Sequence, residues 1–351
     1  MTRRGLSFYT GTAVTADSFA TLASFDGRGH PGEPSGDFSF DLFDCRTGIW
    51  RHVARGKDAA ESATAWHPHG LPQAVAITRF GNVLFDDLPL REEQPYKDRV
   101  HALDGSGDTI ATINNRLYAI GGAGHFFWRD ADSDWAVLDP DFFKADAFAL
   151  SISKLTKKLG GLPPDASLIG IPFEEDLRLH NLYGEYTATF YTLTGTGHDN
   201  LVLAGPEGRV LHFDGQRIHK IASGVTVPLT GSCTAPDGSI YICGTRKQTV
   251  VLKGTAAAGF APILQTSEAQ LHAYKMACLG AEIYICDVSD TNGGLYRLDG
   301  DRLQKITIPG AADPVPVWKV DVADGVLWAL EAKALNRFDG VTWERFESPF
   351  A

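Results

Sequence analysis

Apolar and polar residues alternate in short runs along most of this chain, and Gly or Asp-Gly pairs separate the runs, which predicts half-buried strands joined by tight turns. The C-terminal stretch is the clearest: VWKVDVA (317–323), VLWALEA (326–332), ALNRFDG (334–340) and TWERFES (342–348) read as four successive strands. Parts of this unit recur. PDGSIYIC (236–243), GAEIYIC (280–286) and DGVLWAL (324–330) are spaced by 43 and 44 residues, from Tyr241 to Tyr284 to Trp328. VLHFDG (210–215), LYRLDG (295–300) and LNRFDG (335–340) echo one another in the same way. A repeat of about 40–45 residues with several short strands is the size of one β-propeller blade.

Counted from the N-terminus, blades four to six read EYTATFYTLTG to RIHKIAS, GSCTAPD to FAPILQT, and HAYKMACL to RLQKITI. Upstream the units diverge. RLYAIGG, HFFWRDA and DWAVLD (116–139) supply a third blade, joined by TIATI (109–113). QAVAITRF, NVLFDD and RVHAL (73–103) make an incomplete second, and SFATLASFD, FSFDLFDC and GIWRHVAR (18–55), completed by LSFYT, a first. The expected fold is all-β, a single propeller domain over residues 1–351 with seven four-stranded blades, six or eight being the alternatives. The undecided joint is whether TIATI closes blade two or opens blade three. Residues 139–182 form an insertion between blades three and four. Within it Phe148, Ile152, Leu155 and Leu159 fall on one helical stripe, Asp141 can cap the start, and Gly160-Gly161 stops it, predicting an amphipathic helix over 141–159.

DGSIYICGT, GGLYRLDG and LNRFDGVTWERF resemble the repeats of two-component-regulator-type propellers. FDCRTGIWRHV and WRDADSDWAVL are closer to the kelch strand pair, an Asp-led turn followed by a Trp strand. The resemblance covers about half the chain and implies the fold, not an activity, since propellers host enzymes, sensors and binding scaffolds alike. There is no GH…WD signature and no kelch double glycine in every blade.

Loop length and charge narrow the function. Four excursions interrupt the N-terminal half, at 26–37, 55–71, 87–98 and 139–182, and by the strand pattern all four open on one face, where they carry six of the chain's eleven net negative charges. Long loops on a compact scaffold are usually functional. An acidic rim disfavours nucleic acid and anionic membrane as partners and suits a basic protein. Five cysteines without CxxC spacing argue against a disulfide framework or zinc site, and Cys243 and Cys286 occupy one position in two repeats, as small buried apolar residues do. With neither an export signal nor an apolar run long enough to span a bilayer, a cytoplasmic location is expected.

Motifs for chemistry are sparse. GxSxG, HExxH, GxxxxGK[ST] and a strand-linked GxGxxG are all absent. Asp130, Asp132 and Asp134 alternate as calcium ligands do, but Trp135 stands where such a loop turns on Gly. His67-Pro68-His69 points its imidazoles apart, and His198-Asp199-Asn200 reads as a turn. No cofactor is expected. The residues singled out for partner binding are the acidic clusters Asp86, Asp87, Glu92, Glu93, Asp98, Glu174, Glu175 and Asp176, with Phe126 and Trp128 as apolar anchors if exposed. The leading expectation is a non-catalytic binding propeller, most concretely an immunity protein that neutralises a basic toxin, a nuclease. Its rivals are a generic interaction scaffold or sensor, and a hydrolase or lyase acting on a sugar or lactone at the central channel.

Overall fold

A computed structural model describes residues 6–25, 38–57, 59–95, 107–121, 126–139, 190–266 and 271–350. The described strands form seven antiparallel sheets of four, and each sheet takes four consecutive strands in chain order. Seven blades are thus present, and each is one sheet of the expected propeller. The innermost strands are β1 (Leu6–Thr15), β5 (Ala60–Trp66), β9 (Gly107–Ile113), β13 (Thr192–Gly197), β17 (Leu229–Thr234), β21 (Ala273–Leu279) and β25 (Val317–Ala323).

Burial runs outward within each blade and explains why some strands were easy to read. The second strand is the most buried: β6 (Gln73–Thr78) and β26 (Val326–Glu331) are buried at every position. The fourth is the wettest: in β24 (Arg302–Ile306) only Leu303 and Ile306 are half-buried and the rest face solvent. Because both faces of the middle strands are covered by neighbouring blades, they become continuous apolar runs. Seven apolar clusters result, one at each boundary between consecutive blades. Cys243 and Cys286 are fully buried in two equivalent second strands, and burial holds the Cys286 thiol up at about 12.

Three expectations change here. TIATI opens blade three, because β9 pairs with β10 (Arg116–Gly121). The excursion 55–71 contains β5, and the excursion 87–98 contains β8 (Arg91–Glu93), the fourth strand of blade two. The sequence pattern missed β5 because its buried positions are alanines and a terminal Trp66, and missed β8 because three charged residues in a row do not alternate. RVHAL (99–103), expected as a strand of blade two, lies outside the described residues, as does the helix expected over 141–159.

Among the described residues, blade seven, β25 to β28 (Trp343–Glu347), lends no strand to blade one and borrows none. The ring is closed instead by side chains and termini. Asp321 accepts hydrogen bonds from Thr12 Oγ1 (2.8 Å) and the Ala13 amide (3.2 Å), while Asp324 accepts from the Ala16 amide (3.1 Å). Arg337 Nε donates to the Ala16 carbonyl (2.9 Å), and Lys333 Nζ to the Leu6 carbonyl (2.7 Å). The Leu6 amide donates to Phe350 O at 3.0 Å, and the Phe8 amide to Ala332 O at 2.9 Å. Beneath these ties Phe19 packs on Trp328 and Phe43 on Phe346. Asp321→Ala removes the one carboxylate oxygen, Oδ2, that accepts from both members of a buried donor pair, so the free energy of unfolding should fall by about 2–3 kcal/mol. Asp324→Ala, at an exposed turn, should change it by less than about 1 kcal/mol. Urea titration of the two variants checks this; equal losses would mean that the Asp321 tie is not special.

Candidate partner-docking face

Redrawing the strands redistributes the loops between the two flat sides of the disc. One side, here the turn face, carries the turns between first and second strands and between third and fourth. The other, the linker face, carries the second-to-third loops and the blade-to-blade connections. All fourteen turns of the turn face lie within the described residues. They hold twelve aspartates against two basic residues, Arg46 and Arg217. The described loops of the linker face hold four acidic residues and six basic ones. Within the described chain, the acidic side is therefore the turn face, opposite to the expected one. The excursions 26–37 and 139–182 lie almost wholly outside the described residues.

Turn chemistry produces this charge. Asp214 Oδ1 accepts from the amides of Gln216 (2.9 Å) and Arg217 (2.7 Å), and Asp339 Oδ1 accepts from those of Val341 (2.9 Å) and Thr342 (2.7 Å). Asp237 accepts from Ser239 in the same way. Such turns select Asp because a short carboxylate replaces a backbone acceptor. The donated amides in turn hold the carboxyls of Asp214, Asp237 and Asp339 below the usual range, so they stay ionised.

Blade two departs from this plain pattern. Its turns, 67–72 and 86–90, have six and five residues, and they carry exposed leucines: Leu71 (69% exposed), Leu88 (83%) and Leu90 (40%). Ile49 (61%), at the start of the fourth strand of blade one, lies on the same side. The base beneath them is tied down. The Asp86 amide donates to Ala74 O (3.1 Å) and its carboxylate meets Arg51 at 3.1 Å; burial raises the Asp86 carboxyl despite that guanidinium. Asp87 pairs with Arg91 (2.6 Å) and accepts from Gln73 Nε2.

The residues singled out from sequence fall into three groups. Asp86, Asp87, Asp130, Asp132 and Asp134 come together on the turn face of blades two and three, where His69 Nε2 stands 3.3 Å from Asp132. Asp130 is paired with Arg116 at 2.7 Å, and no cluster of three metal-ligating side chains occurs among the described residues. Glu92 and Glu93 lie on the outer strand β8. Glu92 faces solvent, whereas Glu93 is held by Arg91 (2.7 Å), Arg129 and the Trp135 indole (2.8 Å). Burial alone would raise its carboxyl, but these donors and charges outweigh it and lower it. Phe126 is only 1% exposed and belongs to the core between blades three and four, so it is unavailable as a surface anchor. Trp128 is half-buried, packed on His198 (4.5 Å between rings) and under the Arg116 guanidinium (4.9 Å). Asp98, Glu174, Glu175 and Asp176 lie outside the described residues.

The axis was the place to look for catalysis. It holds a cavity of about 650 Å³ walled by the seven innermost strands, largely with Thr and Ser hydroxyls. Its charged lining is Glu61, Lys275, Lys319 and Asp321, and no histidine lines it among the described residues. Lys275 Nζ donates to the carbonyls of Tyr191 (3.0 Å) and Thr230 (2.9 Å), tying blade six to blades four and five; burial, then Lys319, brings its pKa down to about 8. Elsewhere, Ser39, Asp41 and His52 adjoin, but Ser39 Oγ donates to Asp41 Oδ2 (2.6 Å), and the imidazole takes the other carboxylate oxygen (2.9 Å). That arrangement stitches two strands together, with Ser39 Oγ also 3.4 Å from the imidazole Nδ1.

No family model matches the chain. It is similar to immune protein Tsi7 of Pseudomonas aeruginosa (strain PAO1), 24% identical over 288 residues that cover 82% of this chain and 79% of that protein. Among solved structures it is similar to YCF48 bound to a D1 peptide, with a TM-score of 0.58 at 10% identity over 98% of this chain and 94% of that one. It is also similar to the β-propeller domain of the trilobed protease from Pyrococcus furiosus, which has an open velcro topology, with a TM-score of 0.55 at 10% identity over 99% and 97%. At such identities the solved structures speak for the fold alone. No described helix is long and apolar enough to cross a membrane.

Two stability tests follow. Glu93→Ala leaves Arg129, in a crevice between Trp66 and Trp135, without its carboxylate and with only the Asp130 and Ala131 carbonyls as partners, and should cost about 3 kcal/mol in urea unfolding. His198 is kept neutral, first by burial and then by Arg116, so its folded pKa lies below 6.5. As pH falls through 6.5 the unfolded chain takes up this proton before the folded one does, and stability drops until the lower folded value is passed. His198→Asn should flatten that part of the stability–pH curve; an unchanged slope between pH 7 and 5 would assign the loss to other groups.

Proposed function

We propose that this chain is a non-catalytic immunity protein that binds and neutralises a protein toxin. The observation that carries the reading is its similarity to immune protein Tsi7 across four-fifths of both chains. The acidic turn face supports it. A rigid disc with ten net negative charges in the turns of one side attracts a cationic protein and repels nucleic acid. The finer reading is a basic nuclease as the toxin, because an enzyme that grips phosphates presents a positive groove which carboxylates can fill. Asp87, Glu92, Asp132 and Asp134 are the described carboxylates assigned to that contact; Asp98, Glu174, Glu175 and Asp176 are partner-binding candidates on charge alone. Neutralisation is then steric and electrostatic, with no turnover, and takes place in the cytoplasm, where such a toxin finds its substrate.

The test is co-expression with the product of the gene that adjoins this chain's own, taken as the candidate toxin. Cells making both should grow, and cells making the toxin alone should not. Growth arrest in both cases removes the reading. If the contact is charge-dominated, the dissociation constant of the purified pair should rise at least tenfold between 50 and 300 mM salt.

A further inference from the structure

Five of the six large apolar side chains that the described structure exposes lie on the turn face: Ile49, Leu71, Leu88, Leu90 and Val341. The sixth, Phe80, lies in a second-to-third loop on the linker face. Four of the five sit on blades one and two. The fold does not require them there. Several other turns on this face, such as Gly300-Asp301, Asp324-Gly325 and Ala256–Ala258, are built from Asp, Gly or Ala alone, and none of these four side chains belongs to a boundary cluster. Blade two instead carries two lengthened turns whose tips are leucine.

The four are linked through their bases. Arg51, two residues along the strand from Ile49 and on the same side of it, meets Asp86, two residues before Leu88. Gln73, two residues after Leu71, donates to Asp87. One brace thus joins the blade-one edge to both blade-two turns and holds the leucines before any partner arrives, which lowers the ordering cost of binding. Around them stand carboxylates that reach solvent: Asp87, Glu92, Asp132 and Asp134.

We propose that Ile49, Leu71, Leu88 and Leu90 form the apolar centre of a protein-docking site on blades one and two, ringed by carboxylates, that seats a basic protein surface with a complementary apolar hollow. The inference rests on the immunity reading and specifies where on the disc the toxin docks. An apolar centre inside a polar rim is the usual anatomy of a specific interface, with release governed by the centre and capture by the rim. Charge decides the occupant. A second copy of this chain would bring a like-charged face against this one, and nucleic acid would meet the same repulsion.

The experiment is calorimetry of the purified candidate toxin against three forms of the chain: unaltered, Leu88→Asp/Leu90→Asp, and Phe80→Asp. All four side chains at the centre of the proposal are exposed, so the double variant should unfold thermally like the unaltered chain. The proposal expects the double variant to bind at least about 100-fold more weakly, mainly through faster dissociation, and Phe80→Asp to bind within about threefold of the unaltered chain. Equal affinity of the double variant overturns the docking site while leaving the immunity reading standing. A loss confined to Phe80→Asp overturns it in favour of the linker face. Absence of binding by the unaltered chain overturns both, and a dimer that the leucine substitutions dissolve in sedimentation overturns it in favour of self-association.

Discussion

Every blade of this molecule has two apolar faces, and one neighbour can cover only one of them. The seven clusters at the seven boundaries are the physical expression of that constraint: no sheet is satisfied until the ring is complete. The boundary between blades seven and one is the delicate one, because it alone joins blades that are not consecutive in the chain, and among the described residues no shared strand bridges it. Its apolar packing, Phe19 on Trp328 and Phe43 on Phe346, is supplemented by charged groups in the first strands and turns. Asp321, Asp324, Lys333 and Arg337 all belong to blade seven and all reach to residues 6–16. Hydrogen bonds from charged groups are worth more than neutral ones and are directional. They also set the register of the two sheets, a task that a shared strand would otherwise perform.

The electrostatics of the disc follow from its turns. A four-stranded antiparallel blade needs two tight turns on the same side, and Asp is among the residues that make such turns easily. Repeating the blade seven times therefore concentrates aspartate on one side without any selection for charge. What a partner requires must be superimposed on that background. Blade two shows what such an addition looks like: turns longer than the fold needs, leucines that touch no core, and carboxylates used as braces rather than as turn formers. The axial cavity shows the contrary case. Its Thr and Ser hydroxyls come from the innermost strands of blades one to five, and Lys275, one of its two cations, has carbonyl partners.

The blades four to seven were legible residue by residue, because their second strands, such as SIYICGT and VLWALEA, are apolar at almost every position and their turns carry Gly. Blade two was not. AESATAW fills its place with alanine, since β5 is the innermost strand, where space is least and its other residues face the axis. REE reads as a loop, yet Arg91 lies over Phe85 at 3.7 Å and pairs on either side with Asp87 and Glu93, so an ionic lattice takes the place of apolar alternation. Those two strands decide on which side each loop emerges. The acidic clusters were therefore visible in the sequence while the face they share was not. Likewise Phe126 and Trp128 were visible as aromatic residues, but only the packing of blade three on blade four reveals that one is core and the other a lid over His198.

The closing boundary carries one more implication. Leu6 and Phe350 are hydrogen-bonded neighbours, and each blade is cut from one uninterrupted stretch of chain. Where the polypeptide starts is consequently independent of how the disc is assembled. Joining these two ends with a short linker and opening the chain at a connection between blades, such as residues 222–228, would yield the same seven sheets in a rotated order. The molecule is circular in its architecture, and the linear order of its blades is a property of the gene alone.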